Sequence, residues 1–242
     1  MSTAGPGGGA RPAAPQLAFE FAPQPRYGDN DFLIAPSNAA AHALVLSWPA
    51  WPDPVLALVG APGAGKSHLA AIWARRAQAV LVPPEAVSAG ADLGDFYGRH
   101  ILLEGADAVA DEQGLFHLFN LVQESRATML MTAQAEPERW RVRLPDLRSR
   151  LRRAPIAHIE PPTDDLVRAV LVKLFEDRQL VVEANVVDYI ALRIDRSLDA
   201  ARAIVAALDA EALARGRAVG RGLAADVIAR LASKRLASEE EL

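Results

Sequence analysis

The sequence predicts an α/β domain with a parallel sheet, followed by a domain made only of helices. An apolar segment at 55–59 runs into a glycine-rich loop at 60–67 and then into a helical pattern, which is the local structure of a phosphate-binding loop. Short apolar strands continue to alternate with helical segments as far as 159, which is typical of a parallel sheet. Only helical patterns follow Pro161 and Pro162, so a separate helical domain is expected there.

The individual elements follow from the same patterns. Strands are predicted at 55–59, 79–82, 100–104, 128–132 and 156–159. Helices are predicted in the first domain at 66–77, about 92–97, 112–124, 136–140 and 145–151, and in the second at 164–177, 183–193, 198–215 and 224–236. Thr163 and Ser197 are the expected N-caps of two of these helices. Before the sheet, 31–34 is strand-like, and Ser37 with Asn38 is expected to cap a helix over 39–48.

Composition divides the chain into four parts. Residues 1–26 form an N-terminal tail, of which the first 15 are rich in Gly, Pro and Ala and bury too little apolar surface to fold. Residues 27–162 form the sheet domain and 163–236 the helical domain. The acidic segment 237–242 is expected to be a solvated tail.

Bulk properties exclude several classes of protein. The 242 residues contain no cysteine, which excludes disulfides and thiolate metal sites. A net charge of −4 argues against a broad nucleic-acid-binding face. No segment approaches the roughly 20 apolar residues that span a bilayer, and the N-terminus has no secretory pattern. A cytoplasmic protein without a membrane partner is expected.

The loop at 60–67 reads Gly-Ala-Pro-Gly-Ala-Gly-Lys-Ser and has the full phosphate-loop spacing. Glycines let successive backbone N–H groups point at phosphate oxygens. Lys66 reaches the β- and γ-phosphates, and Ser67 offers its hydroxyl to Mg²⁺. A turn that binds nothing is the alternative, which the strand–loop–helix context disfavours. The sequence therefore predicts a site for a purine nucleoside di- or triphosphate with Mg²⁺. The residues of this segment expected to contact the nucleotide are Gly60, Pro62, Gly63, Ala64, Gly65, Lys66, Ser67 and His68.

An acidic residue at the end of a second strand usually helps a phosphate loop to hold Mg²⁺. Glu104, at the end of the predicted strand 100–104, is the candidate ligand together with Ser67. Gly105 follows it and has no side chain to orient an attacking water, while Asp107 is near enough to reach in. A strand-end carboxylate with no ligand is the alternative for Glu104. These residues favour nucleotide binding over efficient hydrolysis.

The arginine-rich segment 144–153 has two interpretations. Most charge runs are solvated surfaces. Alternatively, an arginine just before the last strand projects towards the γ-phosphate held by a neighbouring subunit, where it stabilises the charge of the transition state.

These motifs resemble those of the AAA+ ATPase domain of the replication initiator DnaA, and more closely those of the DnaA-homologous regulators Hda and HdaA. The resemblance spans about residues 27–235. It rests on 60–67 as Walker A, 115–120 as the helix after Walker B, 131–134 at the sensor 1 strand and 147–151 as the arginine-finger motif. It implies an AAA+ nucleotide domain followed by a helical lid.

The resemblance also implies roles for single residues. Asn38 lies in the segment that leads to the adenine pocket, Gln134 takes the polar position of sensor 1, and Arg150 is the arginine finger acting in trans. Asp199 stands where the lid helix of the family carries its sensor 2 arginine.

Two departures from the family pattern weaken intrinsic hydrolysis. Walker B reads Glu104-Gly105. At sensor 2, Arg196 or Arg202 replaces the arginine only with a shift of register. Weak ATPase activity, or none, is expected from the chain alone.

Residues 16–21 read Gln-Leu-Ala-Phe-Glu-Phe and resemble the short peptide that docks on the bacterial sliding clamp, the β subunit of DNA polymerase III. Leu17, Phe19 and Phe21 would fill an apolar groove, and Gln16 would supply directional hydrogen bonds. An edge strand packed on the core is the alternative. The position of the peptide before a DnaA-like domain, as in Hda, favours clamp binding.

Together these features predict a negative regulator of replication initiation that docks on the DNA-loaded clamp and promotes hydrolysis of ATP bound to DnaA. The sequence shows no basic module like the DNA-binding domain of the initiator, so sequence-specific DNA binding is not expected, whereas self-association is. The alternatives are an autonomous AAA+ ATPase, such as a helicase loader or a DNA-associated motor, and a nucleotide-gated scaffold.

Overall fold

The structure is a computed structural model that describes residue 28 and residues 31–240, the last seven of these by their backbone alone. The predicted clamp-binding residues 16–21 lie outside the described residues.

Five parallel strands form one sheet in the order β2-β3-β4-β1-β5. They are β1 (Val55–Gly60), β2 (Val80–Val82), β3 (Ile101–Leu103), β4 (Met129–Ala133) and β5 (Ile156–Ile159). Each bound agrees with its sequence prediction to within one residue. Because the strands are parallel, their carboxyl ends meet at one edge of the sheet, where ligands of open α/β sheets bind.

Helices cover both faces of the sheet. They are α1 (Ala39–Leu46), α2 (Lys66–Ala77), α3 (Glu112–Glu124) and α4 (Pro145–Arg153). Alternate residues of β1 enter different cores: Val55 and Ala57 pack with the α3 and α4 side, and Leu56 and Leu58 pack with the α1 and α2 side. The predicted helices at 92–97 and 136–140 are single 3₁₀ turns, at Gly94–Phe96 and Pro137–Arg139.

Three tryptophans gather on the α2 side of the sheet. Trp73 of α2 is fully buried. Its ring stacks on that of Trp51, with centroids 5.2 Å apart and an interplanar angle of 23°. Trp48 meets Trp73 edge-on at 6.5 Å. This cluster fixes the middle of α2 against the segment that precedes β1.

The second domain contains α5 (Asp164–Asp177), α6 (Ala184–Ala191), α7 (Leu198–Arg215) and α8 (Arg221–Glu240) around its own apolar core. Both predicted N-caps are confirmed. Thr163 Oγ1 accepts from Leu166 N, and Ser197 Oγ accepts from the backbone N–H groups of Asp199 and Ala200. Within the described part of the chain, no helix is long and apolar enough to cross a membrane.

The lead-in to the sheet differs from its prediction. Residues 31–34 form no strand; instead, Asp31 pairs with Lys173 of α5 at 2.8 Å. Asn38 occupies the N-cap position of α1 but makes no capping bond, because its Oδ1 accepts from Ala35 N and its Nδ2 donates to Leu33 O. Helix α1 ends at Leu46 rather than 48, and α8 continues to Glu240, beyond its predicted end at 236.

Candidate nucleotide site and the opposite edge of the sheet

The glycine-rich loop lies at the carboxyl edge of the sheet, between β1 and α2. Gly63 and Gly65 have φ angles of 69° and 107°, in the left-handed region that favours glycine. Gly65 is the N-cap of α2, and no side chain caps this helix. The N–H groups of its first turn therefore remain available to an anionic ligand.

Lys66 folds back over the loop. Its Nζ donates hydrogen bonds to the carbonyl oxygens of Gly60 at 2.7 Å and Ala61 at 2.9 Å. Burial lowers the pKa of Lys66. Three carboxylates act in the opposite direction, those of Asp107, Asp199 and Glu104. The amine thus lies within the field of several acidic groups.

Glu104 and Asp107 bring two of these carboxylates to the site. Glu104 follows β3 directly and is half-buried, and Gly105 N donates to the hydroxyl of Thr132 on β4. Asp107 Oδ2 accepts from Gln134 N at 2.8 Å, so the ends of β3 and β4 are joined beside the loop. Thr132, which is buried, was missed from the sequence because its role depends on the pairing of the strands.

The third carboxylate, Asp199, comes from the lid. Leu198 N at the start of α7 donates to Gly63 O at 2.8 Å. A Cβ atom at Gly63 would collide with the Ser197 side chain and would lie 3.4 Å from Asp199 Oδ2. The other oxygen of Asp199 binds Arg202 at 2.8 Å. The lid therefore places a carboxylate, that of Asp199, beside the tip of the loop.

Arg196, the other arginine considered for this position, pairs with Asp164 at 2.7 Å. It is bound to the first turn of α5, whereas Arg202 is bound to Asp199 on α7 itself.

An aromatic cluster lies beside the start of α2. The Phe32 ring stacks on His42 at 5.4 Å and meets His68 edge-on at 5.3 Å. His68 Nε2 lies 3.3 Å from Gly28 O, and burial lowers the pKa of this imidazole. A Cβ atom at Gly65 would lie 3.3 Å from Leu198 Cδ1 and 3.9 Å from Phe32. Sequence reasoning missed these two apolar groups because neither belongs to the loop motif.

The imidazole of His68 and the amide of Asn38 are thus both bonded to groups of the protein. For His68, the backbone N–H in the first turn of α2 is the group left to meet a phosphate. For Asn38, the structure shows a role in folding the lead-in segment.

Arg150 lies on α4, beside α3. Its Nη1 donates to Gln123 Oε1 at 2.7 Å, and its guanidinium carbon lies 5.0 Å from the centroid of the Phe116 ring. Both partners are neutral. Among the ion pairs of the described residues none includes Arg150, whereas Arg153, one turn further on, binds Asp53 at 3.4 Å.

Arg150 and the phosphate loop lie at opposite edges of the sheet. A cleft of about 360 Å³ beside Arg150 is lined by Asp53, Pro54 and Val55, where β1 begins. The loop starts at Gly60, where β1 ends. Since six extended residues span roughly 17–20 Å, Arg150 is out of reach of the loop on its own chain.

Comparisons with known proteins find similarity to the replication initiator DnaA. No protein-family model matches the chain. The initiator protein DnaA of Thermomicrobium roseum is 24% identical over 77% of the chain, and that of Cutibacterium acnes is 25% identical over 72%. These alignments cover 46% and 40% of the two DnaA proteins, so the chain spans less than half the length of these curated relatives.

Solved structures show the same fold. Domain III of the Thermotoga maritima initiator DnaA superposes with a TM-score of 0.69 at 19% identity, over 84% of the chain and 96% of that domain. AMPPCP-bound DnaA from Aquifex aeolicus gives 0.62 at 16% identity, over 76% of the chain and 65% of that structure. The RuvB Holliday junction branch migration motor of T. maritima gives 0.63 at 16% identity, over 79% and 66%. The chain is thus similar in sequence to less than half of DnaA, and it has the fold of DnaA domain III.

Proposed function

We propose that the chain binds ADP or ATP with Mg²⁺ at residues 60–67 and acts on a DnaA-type replication initiator. The uncapped first turn of α2 and the left-handed Gly63 and Gly65 form a backbone cradle that fits a phosphate group. Two of the structural relatives are DnaA bound to the ATP analogue AMPPCP, which supports the same ligand class here.

The residues that would hold Mg²⁺ are Ser67 and Glu104. Ser67 lies in the first turn of α2 with an exposed side chain, and the carboxylate of Glu104 acts electrostatically on Lys66. Both therefore belong to the surroundings of the loop. Once bound, the ion neutralises phosphate charge.

Arg150 would act on a partner's nucleotide. Its guanidinium would approach the γ-phosphate of ATP held by DnaA and stabilise the charge that develops there, a contribution worth roughly 10³–10⁵ in rate in related systems. The observation that carries this proposal is the placement of Arg150 at the edge of the sheet opposite its own phosphate loop. An arginine so placed is too far from its own loop, so any nucleotide on which it acts would be held by a neighbouring molecule.

Turnover of DnaA-bound ATP, measured with the sliding clamp and primed DNA, tests this function. We expect Arg150→Ala to lower the stimulated rate about 100-fold or more. Arg152→Ala, on the same helix and exposed, is the matched control and should keep full stimulation. Undiminished stimulation by Arg150→Ala would disprove the mechanism.

We further propose that residues 16–21 dock on the sliding clamp. The sequence motif is the support, since this segment lies outside the described residues. Replacing Gln16 and Leu17 by alanine should abolish binding to immobilised clamp, while Gln24→Ala should leave it unchanged. Equal affinity of the double variant and the parent chain would exclude this docking mode.

An autonomous ATPase is the second candidate, because the phosphate loop is complete and its lysine is in place. Gly105 and Asp199 argue against it, since Gly105 has no side chain to orient water and Asp199 supplies no positive charge. Steady-state ATPase activity without partners separates the candidates. Substantial turnover in ATP-dependent hexamers would favour a motor, and weak turnover would favour the regulator.

A further inference from the structure

Arg150 is held in one place without losing its charge. Its guanidinium is anchored from two directions, by the Gln123 amide at 2.7 Å and by the Phe116 ring at 5.0 Å. These two side chains lie seven residues apart on α3, on the same face of that helix, and α3 packs against α4. An otherwise mobile side chain is thereby ordered.

The neutrality of both partners distinguishes Arg150 from those arginines of the described residues that pair with a carboxylate. Carboxylates bind Arg153, Arg168 and Arg196 at 2.6–3.4 Å, so the charge of each is locally compensated. An amide oxygen and an aromatic face orient a guanidinium but leave its net charge of +1 to act outward.

Within the described residues, the two carboxylates in the cleft beside Arg150 leave its guanidinium without an ion pair. Asp146, one helical turn before it, lines the same cleft, yet forms no ion pair with it among those of the described residues. The other carboxylate lining the cleft, Asp53, is bound by Arg153. The cleft therefore presents a fixed cation.

We propose that Gln123 and Phe116 are positioning residues, which hold the Arg150 guanidinium ordered and uncompensated so that it meets a partner's phosphate without first breaking an ion pair. This inference rests on the proposed function, in which Arg150 acts in trans. The contact between the guanidinium and the phosphate then stabilises the transition state, because no energy is needed to reorganise the arginine first.

The test separates docking from catalysis by titrating the chain into a fixed amount of ATP-loaded DnaA with clamp and primed DNA. Gln123 is exposed, so its substitution should leave the thermal midpoint unchanged. Gln123→Met removes the acceptor at nearly constant size and should lower the maximal rate roughly three- to tenfold. The concentration that gives half-maximal stimulation should not change.

Gln123→Glu is the second variant, and it places a negative charge beside the guanidinium. A carboxylate would neutralise the guanidinium, so the maximal rate should fall further than in Gln123→Met. Gln113→Met, on the same helix and exposed, is the matched control and should behave as the parent chain.

Each outcome decides between the proposals. If Arg150→Ala keeps full stimulation, the proposed function fails. If Arg150→Ala loses stimulation while both Gln123 variants keep the parent's maximal rate, only the positioning role is overturned. A change confined to half-saturation, or a higher maximal rate in Gln123→Met, would overturn it as well, because Gln123 would then be a docking or a restraining residue.

Discussion

Single charged groups determine what each edge of the sheet can bind. At the loop, Lys66 meets a carboxylate from the lid: Asp199 turns Oδ2 towards Gly63 and binds Arg202 with Oδ1. Oδ2, which shares the delocalised charge of the carboxylate, is thus the oxygen nearer the loop tip. A ligand with more negative charge at this end is disfavoured more strongly.

Asp199→Asn should therefore raise the affinity for a nucleoside triphosphate relative to the diphosphate. We expect the ratio of dissociation constants for AMPPCP and ADP to fall by about fivefold at low salt. Asp209→Asn is the control, since it removes a carboxylate from the same helix roughly 15 Å away. An unchanged ratio in Asp199→Asn would show that this charge does not reach the phosphates.

The loop itself could be predicted from the sequence, because a phosphate loop is read from local spacing alone. The neighbours of Arg150 could not, since Gln123 lies 27 residues before it on another helix. Asn38 shows a third case: it has the right type and place for a cap, but its amide is already bound by Ala35 and Leu33.

At the scale of elements, the start of α7 joins the lid to the loop. Ser197 caps the helix through two backbone N–H groups, and the next residue, Leu198, donates to Gly63 O. The cap therefore fixes the helix end at the point where it touches the nucleotide site.

Ser197→Ala should lower the free energy of unfolding by about 1 kcal/mol, the usual cost of a lost N-cap. Urea denaturation measures this change. Ser233→Ala is the control, because that hydroxyl is exposed and bonds only to Ala229 O within α8. A loss at Ser197 no larger than at Ser233 would contradict the capping role.

Several long helices have the bounds that the sequence predicts, whereas two short segments do not. The former are α2, α3, α5 and α7, and the caps Thr163 and Ser197 mark where two of them begin. At 92–97 the polar and glycine residues support only one 3₁₀ turn. At 31–34 the contact between Asp31 and α5 outweighs strand propensity.

At the scale of the whole molecule, the two edges of the sheet carry different functional groups. The phosphate loop lies at the carboxyl edge, and Arg150 lies at the amino edge. Nucleotide binding should thus stabilise the fold without altering the arginine.

Saturating ADP with Mg²⁺ should stabilise the protein by about 2.7 kcal/mol at 100 times the dissociation constant. Lys66→Ala should remove most of this gain, and Arg152→Ala, on α4, should keep it. Thermal unfolding with and without nucleotide measures the effect. Equal stabilisation of Lys66→Ala and the parent would place the nucleotide elsewhere.

His68, which is buried, and His100, which is half-buried, make the stability depend on pH. Burial lowers the pKa of both imidazoles below the usual histidine value of 6.5, so the unfolded chain takes up protons first as pH falls. The free energy of unfolding should be at its full value above pH 6.5 and decrease towards pH 5. Carboxylates with a lowered pKa, such as that of Asp31, reduce the free energy of unfolding further only near pH 4 and below.

Urea unfolding at pH 7.5 and pH 5.5 tests this sign. The double variant His68→Gln, His100→Asn should lose much of the difference between the two conditions. Equal pH dependence in the double variant and the parent would assign the effect to other groups.

The stacked indoles of Trp51 and Trp73 give the protein an optical signal of its own. Trp73 lies two turns along α2 from Lys66, and its ring stacks on Trp51 outside that helix. A ligand that displaced α2 on filling the loop would change the angle between the two rings and hence their coupled near-ultraviolet circular dichroism. Occupancy of the loop would then be followed in the unlabelled chain.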